Sequence, residues 1–168
     1  MTKRKLSPIE NERIILRLLE RDDLPLTLAW RNQDHIRKWF LNTDMILEEK
    51  HIAWFENYQE LDFDFVFVIL AKELGNIPVG QISLYDIDWV AGTAEFGRLL
   101  VGNPLARGKG YAKDASRLLL EYGFENMGLK EIILEVKADN EKATAIYHAI
   151  GFVETSRKSG LVVMSVRA

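Results

Sequence analysis

The segment Arg107-Gly108-Lys109-Gly110-Tyr111-Ala112 sets two glycines and two cations between a strand pattern and a helix pattern. Before it, residues 93–101 read as a strand that is broken by Gly102-Asn103-Pro104. After it, a helix is predicted to start near Lys109, with Tyr111, Ala115, Leu118, Leu119 and Tyr122 on its apolar face and Gly128 as its C-terminal cap. Residues 131–137 follow as another strand. A strand, helix, strand unit of this length is a crossover, so its two strands are expected to lie parallel. The N-terminus of a helix carries unsatisfied N–H donors and the positive end of the helix dipole, which together favour an anion. Glycines let oxygens approach the main chain, and Arg107 and Lys109 add charge from the flanks.

Anion loops differ in spacing. A phosphate-cleaving loop needs Gly, four residues, Gly-Lys and then Ser or Thr; here Gly102 lies one residue too far away and Gly110 stands where the metal-binding hydroxyl belongs. A dinucleotide fingerprint needs a third glycine at Lys113. A glycine-rich turn with solvated cations stays open on this segment alone.

Working outward, residues 13–19 read as a strand and Asp22-Asp23-Leu24-Pro25 as the start of a helix running to about Arg31. Residues 32–44 are irregular with a short helix at 36–40, and a second helix covers 47–58, where Leu47, His51, Trp54, Phe55 and Tyr58 share one face. Phe63, Phe65, Phe67 and Ile69 alternate with Asp64, Val66, Val68 and Leu70, giving a strand that turns at Gly75-Asn76 into another over 78–85, with Gly80 as a candidate bulge. With 93–101 these strands make an antiparallel meander. Downstream, Asn140 caps a short helix over 141–150 that Gly151 stops, and residues 152–156 and 162–167 close as a hairpin around Lys158-Ser159-Gly160. The fold class is therefore α+β, a mixed sheet that is mostly antiparallel.

At 168 residues the chain fits one domain, 1–168, with 1–12 expected as a loose N-terminal tail. The 48% hydrophobic and 28% charged fractions are those of an ordinary globular protein, and no apolar run approaches a bilayer span. A net charge of −3 speaks against nucleic acid as a partner, since gripping a phosphate backbone needs a clustered basic surface. Met1-Thr2-Lys3-Arg4-Lys5-Leu6 is basic, but Ser7-Pro8-Ile9-Glu10 follows in place of an apolar stretch, so a cytoplasmic location without membrane attachment is expected. Without cysteine there is no thiolate nucleophile and no disulfide, and three scattered histidines leave no metal site to expect.

On these residues the chain resembles the GNAT superfamily of N-acetyltransferases, whose signature is Gln or Arg, two residues, Gly, one residue, then Gly or Ala. Here it stands as Arg107 to Ala112, and Asn140-Glu141-Lys142-Ala143-Thr144-Ala145-Ile146-Tyr147 with Gly151-Phe152 looks like the family's second element. The resemblance covers the chain from about Arg13 and implies a parallel strand pair that splays apart, helices on both sheet faces, and acetyl-CoA as co-substrate. It implies that Arg107, Gly108, Lys109, Gly110, Tyr111 and Ala112 bind the CoA pyrophosphate, mostly through main-chain N–H groups. Leu99, Leu100 and Val101 then lend backbone groups to the extended pantetheine arm, with Asn140 and Tyr147 on the far side. Tyr147 resembles the family's general acid for the departing thiolate, or is a packing tyrosine on a core helix. Glu95 stands where some relatives hold a base, or is a solvated strand position. With no cysteine, direct attack by the amine in a ternary complex is simpler than a covalent acyl-enzyme.

Acceptor choice in this fold comes from the first helices. Trp30-Arg31-Asn32, Arg37-Lys38-Trp39-Phe40 and His51-Ile52-Ala53-Trp54-Phe55 resemble relatives that acetylate a nucleotide-linked amino sugar: Arg31 or Arg37 for diphosphate, Trp39 or Phe40 for stacking, His51 for a polar contact. His51 is equally placed to be a core histidine. Other relatives acetylate protein N-termini or polyamines, and for a polyamine Asp44, Glu48, Glu49, Asp62, Asp64, Asp86 and Asp88 are the available carboxylates. The expected partner is thus a small-molecule or peptide amine, with a homodimer as a possible assembly. A non-catalytic acyl-CoA sensor is the reading from another class, and retention of Tyr147 and of the loop glycines weighs against it.

Overall fold

The computed structural model describes residues 2–168. The strands are β1 (Ile9–Glu10), β2 (Ile14–Leu18), β3 (Phe65–Ala71), β4 (Ile77–Asp88), β5 (Thr93–Val101), β6 (Glu131–Lys137), β7 (Val153–Lys158) and β8 (Leu161–Arg167). The helices are α1 (Leu24–Arg31), α2 (Asp34–Arg37), α3 (Glu48–Tyr58), α4 (Tyr111–Asn126) and α5 (Glu141–Ala149). Among the described residues the strands form one sheet of eight, in the order β1-β2-β3-β4-β5-β6-β8-β7. Every neighbouring pair is antiparallel except β5 with β6. No helix is long and apolar enough to cross a membrane among the described residues.

The alternation in β3 separates two cores. Phe65, Phe67 and Ile69 join the cluster under α4 and α5 with Leu119, Tyr147 and Phe152, whereas Val66 and Val68 join Leu19, Leu24, Phe55 and Tyr58 of the opposite layer. Helices therefore cover both faces, and the period of two marks which core a side chain enters rather than whether it is buried.

The feature that builds the site is the end of the β5–β6 ladder. The parallel register runs Thr93 to Glu131, Ala94 to Ile132 and Glu95 to Ile133, and stops there. Beyond Glu95, β5 stays with β4 up to Val101, while β6 stays with β8 up to Lys137, so the two strands diverge. A bulge in β5 assists the divergence. Gln81 pairs with Leu100 and Ser83 with Gly97, which leaves both Arg98 and Leu99 opposite Ile82, and Arg98 takes a left-handed backbone with φ 52°.

Several expectations need correction. Residues 1–12 are not a loose tail where they are described: Ile9 and Glu10 pair with β2, Lys3 Nζ donates to the Tyr58 carbonyl at 3.0 Å, and the Arg4 guanidinium pairs with Asp62 at 2.9 Å and lies 3.6 Å from the centre of the Trp89 ring. α4 begins at Tyr111 rather than near Lys109, because Gly110 at φ 79° is left-handed and cannot belong to a right-handed helix. The short helix is 34–37 instead of 36–40. The extra residue of the β3–β4 bulge is Val79, between Gly80 opposite Ile69 and Pro78 opposite Leu70. Gly80 has another reason to be glycine, since a Cβ there would lie 2.2 Å from the Leu100 carbonyl oxygen.

Candidate active site

Where β5 and β6 part, a cleft of about 680 Å³ opens. Its walls are the diverging strands, with Leu99, Leu100 and Val101 on one side and Leu134, Glu135 and Val136 on the other. Ala112, the start of α5, and residues of α1, α2 and the segment after it complete the lining. The main chain of β5 facing this cleft has no ladder partner beyond Glu95, so its edge is free for an extended amide-bearing chain.

Next to Ala112 stands the glycine loop. Arg107, Gly108, Lys109 and Gly110 are exposed and lie outside the cleft lining, next to it in sequence through Tyr111 and Ala112. Gly108 and Gly110 both have positive φ, 71° and 79°, and a Cβ would meet nothing within 4 Å at Gly108 and only Arg13 Nη1, at 3.8 Å, at Gly110. Open space in front of left-handed glycines at a helix start is what a diphosphate cradle requires, so the loop fits the phosphates of acetyl-CoA. Tyr111 can offer its main-chain N–H alone, since its ring is buried in the core and its hydroxyl donates to Glu73.

Arg13 holds this loop in place, and sequence reasoning missed it. One of its amino groups pairs with Asp114, the other donates to the Lys109 carbonyl at 2.7 Å and to Glu73 at 3.1 Å. The carboxylate of Asp114, which would repel an anion at the helix start, is thereby neutralised. Arg107 and Lys109 enter no ion pair of their own among the described residues, which leaves both charges available.

Asn140 lines the cleft, but its side-chain oxygen accepts from the Ala143 N–H at 3.2 Å and so caps α5. Tyr147, on α5, is 7% exposed and packs edge-on against Phe96 at 5.7 Å and Phe152 at 5.9 Å. It belongs to the core and to the cleft lining at once, so the packing and chemical readings of Tyr147 are not alternatives. Burial pushes its phenol up to about 12, which keeps the proton on at neutral pH.

Glu95 is the last residue of the parallel ladder and faces the cleft with Glu135. Burial raises its carboxyl above the usual range, and the nearby Glu135 and Asp86 raise it further, with Arg98 acting in the opposite sense. A half-buried carboxyl beside two others binds a proton readily, and a cation arriving among them relieves their repulsion.

Of the acceptor residues, Arg31, Trp39 and Phe40 line the same cleft. The Arg31 guanidinium lies 4.1 Å from the centre of the Phe40 ring, donates to the Asn42 carbonyl at 2.6 Å, and leaves Nη1 buried without a partner among the described residues. His51 does not join them. It lines a separate cavity of about 510 Å³ between α1 and α3 and stacks on Trp54 at 5.4 Å, and burial lowers its pKa. Asp62 and Asp64 are taken by Arg4 and Arg98. His35, given no role from sequence, lines the cleft, and His148 is exposed.

A sheet that opens at one parallel pair, next to a helix begun by left-handed glycines, defines an acyltransferase that takes its acyl group from CoA. The chain belongs to the GNAT acetyltransferase family: the model of the GNAT acetyltransferase domain matches residues 13–153. It is 30% identical to a spermidine N(1)-acetyltransferase of Vibrio cholerae over 151 residues, covering 86% of this chain and 81% of that one. It is likewise 30% identical to a putative ribosomal N-acetyltransferase of Bacillus subtilis, covering 91% of this chain and 85% of that one. In fold it is similar to the crystal structure of the Vibrio cholerae spermidine N-acetyltransferase in complex with CoA and spermine, with a TM-score of 0.83 over 94% of this chain and 96% of that one, at 24% identity.

Proposed function

We propose that this acetyltransferase transfers the acetyl group of acetyl-CoA to a primary amine of a polyamine-type acceptor by direct attack within a ternary complex. The carrying observation is the Glu95–Glu135 pair in the cleft, with Asp86 behind it, at the point where the strands part. These carboxylates suit an acceptor rich in ammonium groups, and the likeness to spermidine N(1)-acetyltransferases of Vibrio cholerae and Escherichia coli supports the same class. That support moves the polyamine ahead of the nucleotide-linked amino sugar, which the sequence placed first.

Acetyl-CoA supplies an activated thioester carbonyl when bound. The N–H groups of residues 108–112 and the charges of Arg107 and Lys109 hold its phosphates. The free edge of β5 from Leu99 to Val101 pairs with its amide-bearing arm and gives an N–H toward the carbonyl oxygen. Glu95 accepts the proton that the ammonium must lose before its nitrogen can attack, directly or through a water. Tyr147, protonated and in the cleft wall, gives a proton to the departing sulfur and regains one from the second proton that the nitrogen sheds as the amide forms.

A nucleotide-linked amino sugar remains a second reading because of the Arg31 Nη1 without a partner among the described residues and the exposed Trp39 that lines the same cleft. Protein N-termini come third, supported by the Bacillus subtilis relative. Self-association is consistent with a relative of this fold that is described as a dodecamer. Thiol release from acetyl-CoA, followed against spermidine, UDP-linked amino sugars and peptides ending in Ser or Ala, separates the readings. Turnover highest with spermidine is expected. Turnover with the amino sugar alone transfers the role to Arg31 and Trp39, and binding without turnover in all three classes makes the chain a sensor.

A further inference from the structure

Arg98 has three properties that neither cofactor binding nor packing explains together. It lies at the β5 bulge with a left-handed backbone, φ 52°, a conformation that costs a residue with a side chain and is kept where the surroundings enforce it. It forms a two-pronged ion pair with Asp64, at 2.7 and 3.2 Å, and the Asp64 carboxylate is itself buried. Its guanidinium lies 4.3 Å from the centre of the Tyr85 ring, and Tyr85 is the residue paired with Glu95 across β4 and β5. Arg98, Tyr85, Glu95 and Glu135 all line the cleft. The Tyr85 hydroxyl in turn fills the space over Gly97, where a Cβ would stand 2.9 Å from it.

We propose that Arg98 is a positioning residue for acetyl transfer: pinned by Asp64 and stacked on Tyr85, it fixes the wall on which Glu95 stands and supplies the positive charge that opposes the carboxylates around Glu95. This rests on Glu95 being the proton acceptor. The charged and titratable groups around Glu95 are Tyr85 and Asp86 from β4, Glu135 from β6, Arg98 from β5 itself, and Tyr147 from α5 across the cleft. Two of them are carboxylates and two are phenols, and Arg98 is the cation among them that opposes the carboxylates. The bulge is what makes this possible, since in a regular strand side chains two apart share a face and those three apart do not, whereas one extra residue brings positions 95 and 98 to the same cleft. Asp64 stands just before β3, two strands from β5 in the same sheet and outside the cleft lining, so the charge is held by a part of the chain that does not line the cleft.

The test is a side-chain carboxyl titration by NMR in protein labelled with 13C-glutamate, comparing the parent with Arg98→Gln and Arg98→Lys and assigning the resonance with Glu95→Gln. The Glu95 midpoint should rise by about half a pH unit or more in Arg98→Gln and return toward the parent in Arg98→Lys. The acidic limb of kcat/KM with spermidine should move up by the same amount. A midpoint unchanged in Arg98→Gln, with a folded amide spectrum, overturns the proposal. If Arg98→Gln does not fold because it leaves the buried Asp64 carboxylate unpaired, the double variant Arg98→Gln/Asp64→Asn removes both charges, and an unmoved Glu95 midpoint there overturns it equally. A midpoint that shifts while Glu95→Gln retains the acidic limb keeps the electrostatic role of Arg98 and removes Glu95 as the base, so the two claims fail separately.

Discussion

At the scale of single residues, the two groups proposed to move protons are set by environments of different kinds. Tyr147 is held by aromatic edges on two sides, and burial alone raises its phenol. Tyr147→Phe removes a proton donor while leaving that packing in place, so kcat should fall about 100-fold with acetyl-CoA affinity unchanged; steady-state kinetics and calorimetry read the two separately. Glu95 carries a stability consequence as well. Its folded pKa lies above the unfolded one, so the protonated form is favoured by folding and the ionised form at neutral pH opposes it. The contribution to stability is present below the ordinary carboxylate range and is lost as pH rises through the raised value. Glu95→Gln should therefore raise Tm at pH 7.5 and leave it unchanged at pH 4, while depressing turnover. Thermal melts at the two pH values decide it, and a lower Tm at pH 7.5 would contradict the environment assigned to this carboxyl.

Residues of this kind were only partly legible beforehand. Tyr147 and Glu95 could be named because they lie in or near recognisable local patterns. Arg13 and Arg98 could not, because each acts through partners far along the chain: Arg13 through Asp114, 101 residues away, and Arg98 through Asp64, 34 residues away. His51 was placed on the right helix face, but a helical face says nothing about which of two neighbouring cavities it meets, and α3 turns it to the one bounded by α1.

At the scale of elements, short-range signals carried well. The helix caps at Asn140 and Gly128, the hairpin at Ser159 and Gly160, and the bounds of β5 and β6 all follow from residues within a few positions of each other. The β5 bulge left no comparable trace, because it comes from the register against β4 and an arginine in a left-handed backbone has no sequence signature. Gly102 belongs to the same class. A Cβ there would fall 2.1 Å from the Trp30 ring, so the turn from β5 toward the phosphate loop is packed directly under α1. Gly102→Ala should cost about 1–3 kcal/mol of stability by overpacking and weaken acetyl-CoA binding as the loop shifts. Denaturant unfolding with calorimetry tests this, and a fully stable variant would mean that Trp30 yields easily.

At the scale of the whole molecule, chemistry is concentrated at one defect in an otherwise continuous sheet. An eight-stranded sheet with helices on both faces has little free backbone, and the parting of β5 from β6 exposes main-chain groups without opening the core. A modest net charge of −3 is compatible with binding a strongly anionic co-substrate because the cations and N–H donors are gathered at one helix start. The order of elements and the mixed sheet could be read from the sequence, since crossover and meander follow from element lengths alone. Docking of the N-terminal segment could not, because Lys3 and Arg4 meet their partners 55 to 61 positions later.

In the proposed mechanism the donors opening α4 grasp the diphosphate of coenzyme A. Titration of CoA into 15N-labelled protein tests it most directly. The amide resonances of Gly108, Gly110, Tyr111 and Ala112 are expected to shift most, and Gly110→Asp is expected to abolish those shifts while the rest of the spectrum stays folded. Saturable CoA binding that leaves these four amides unmoved, with the largest shifts around His51 and α3, would contradict it.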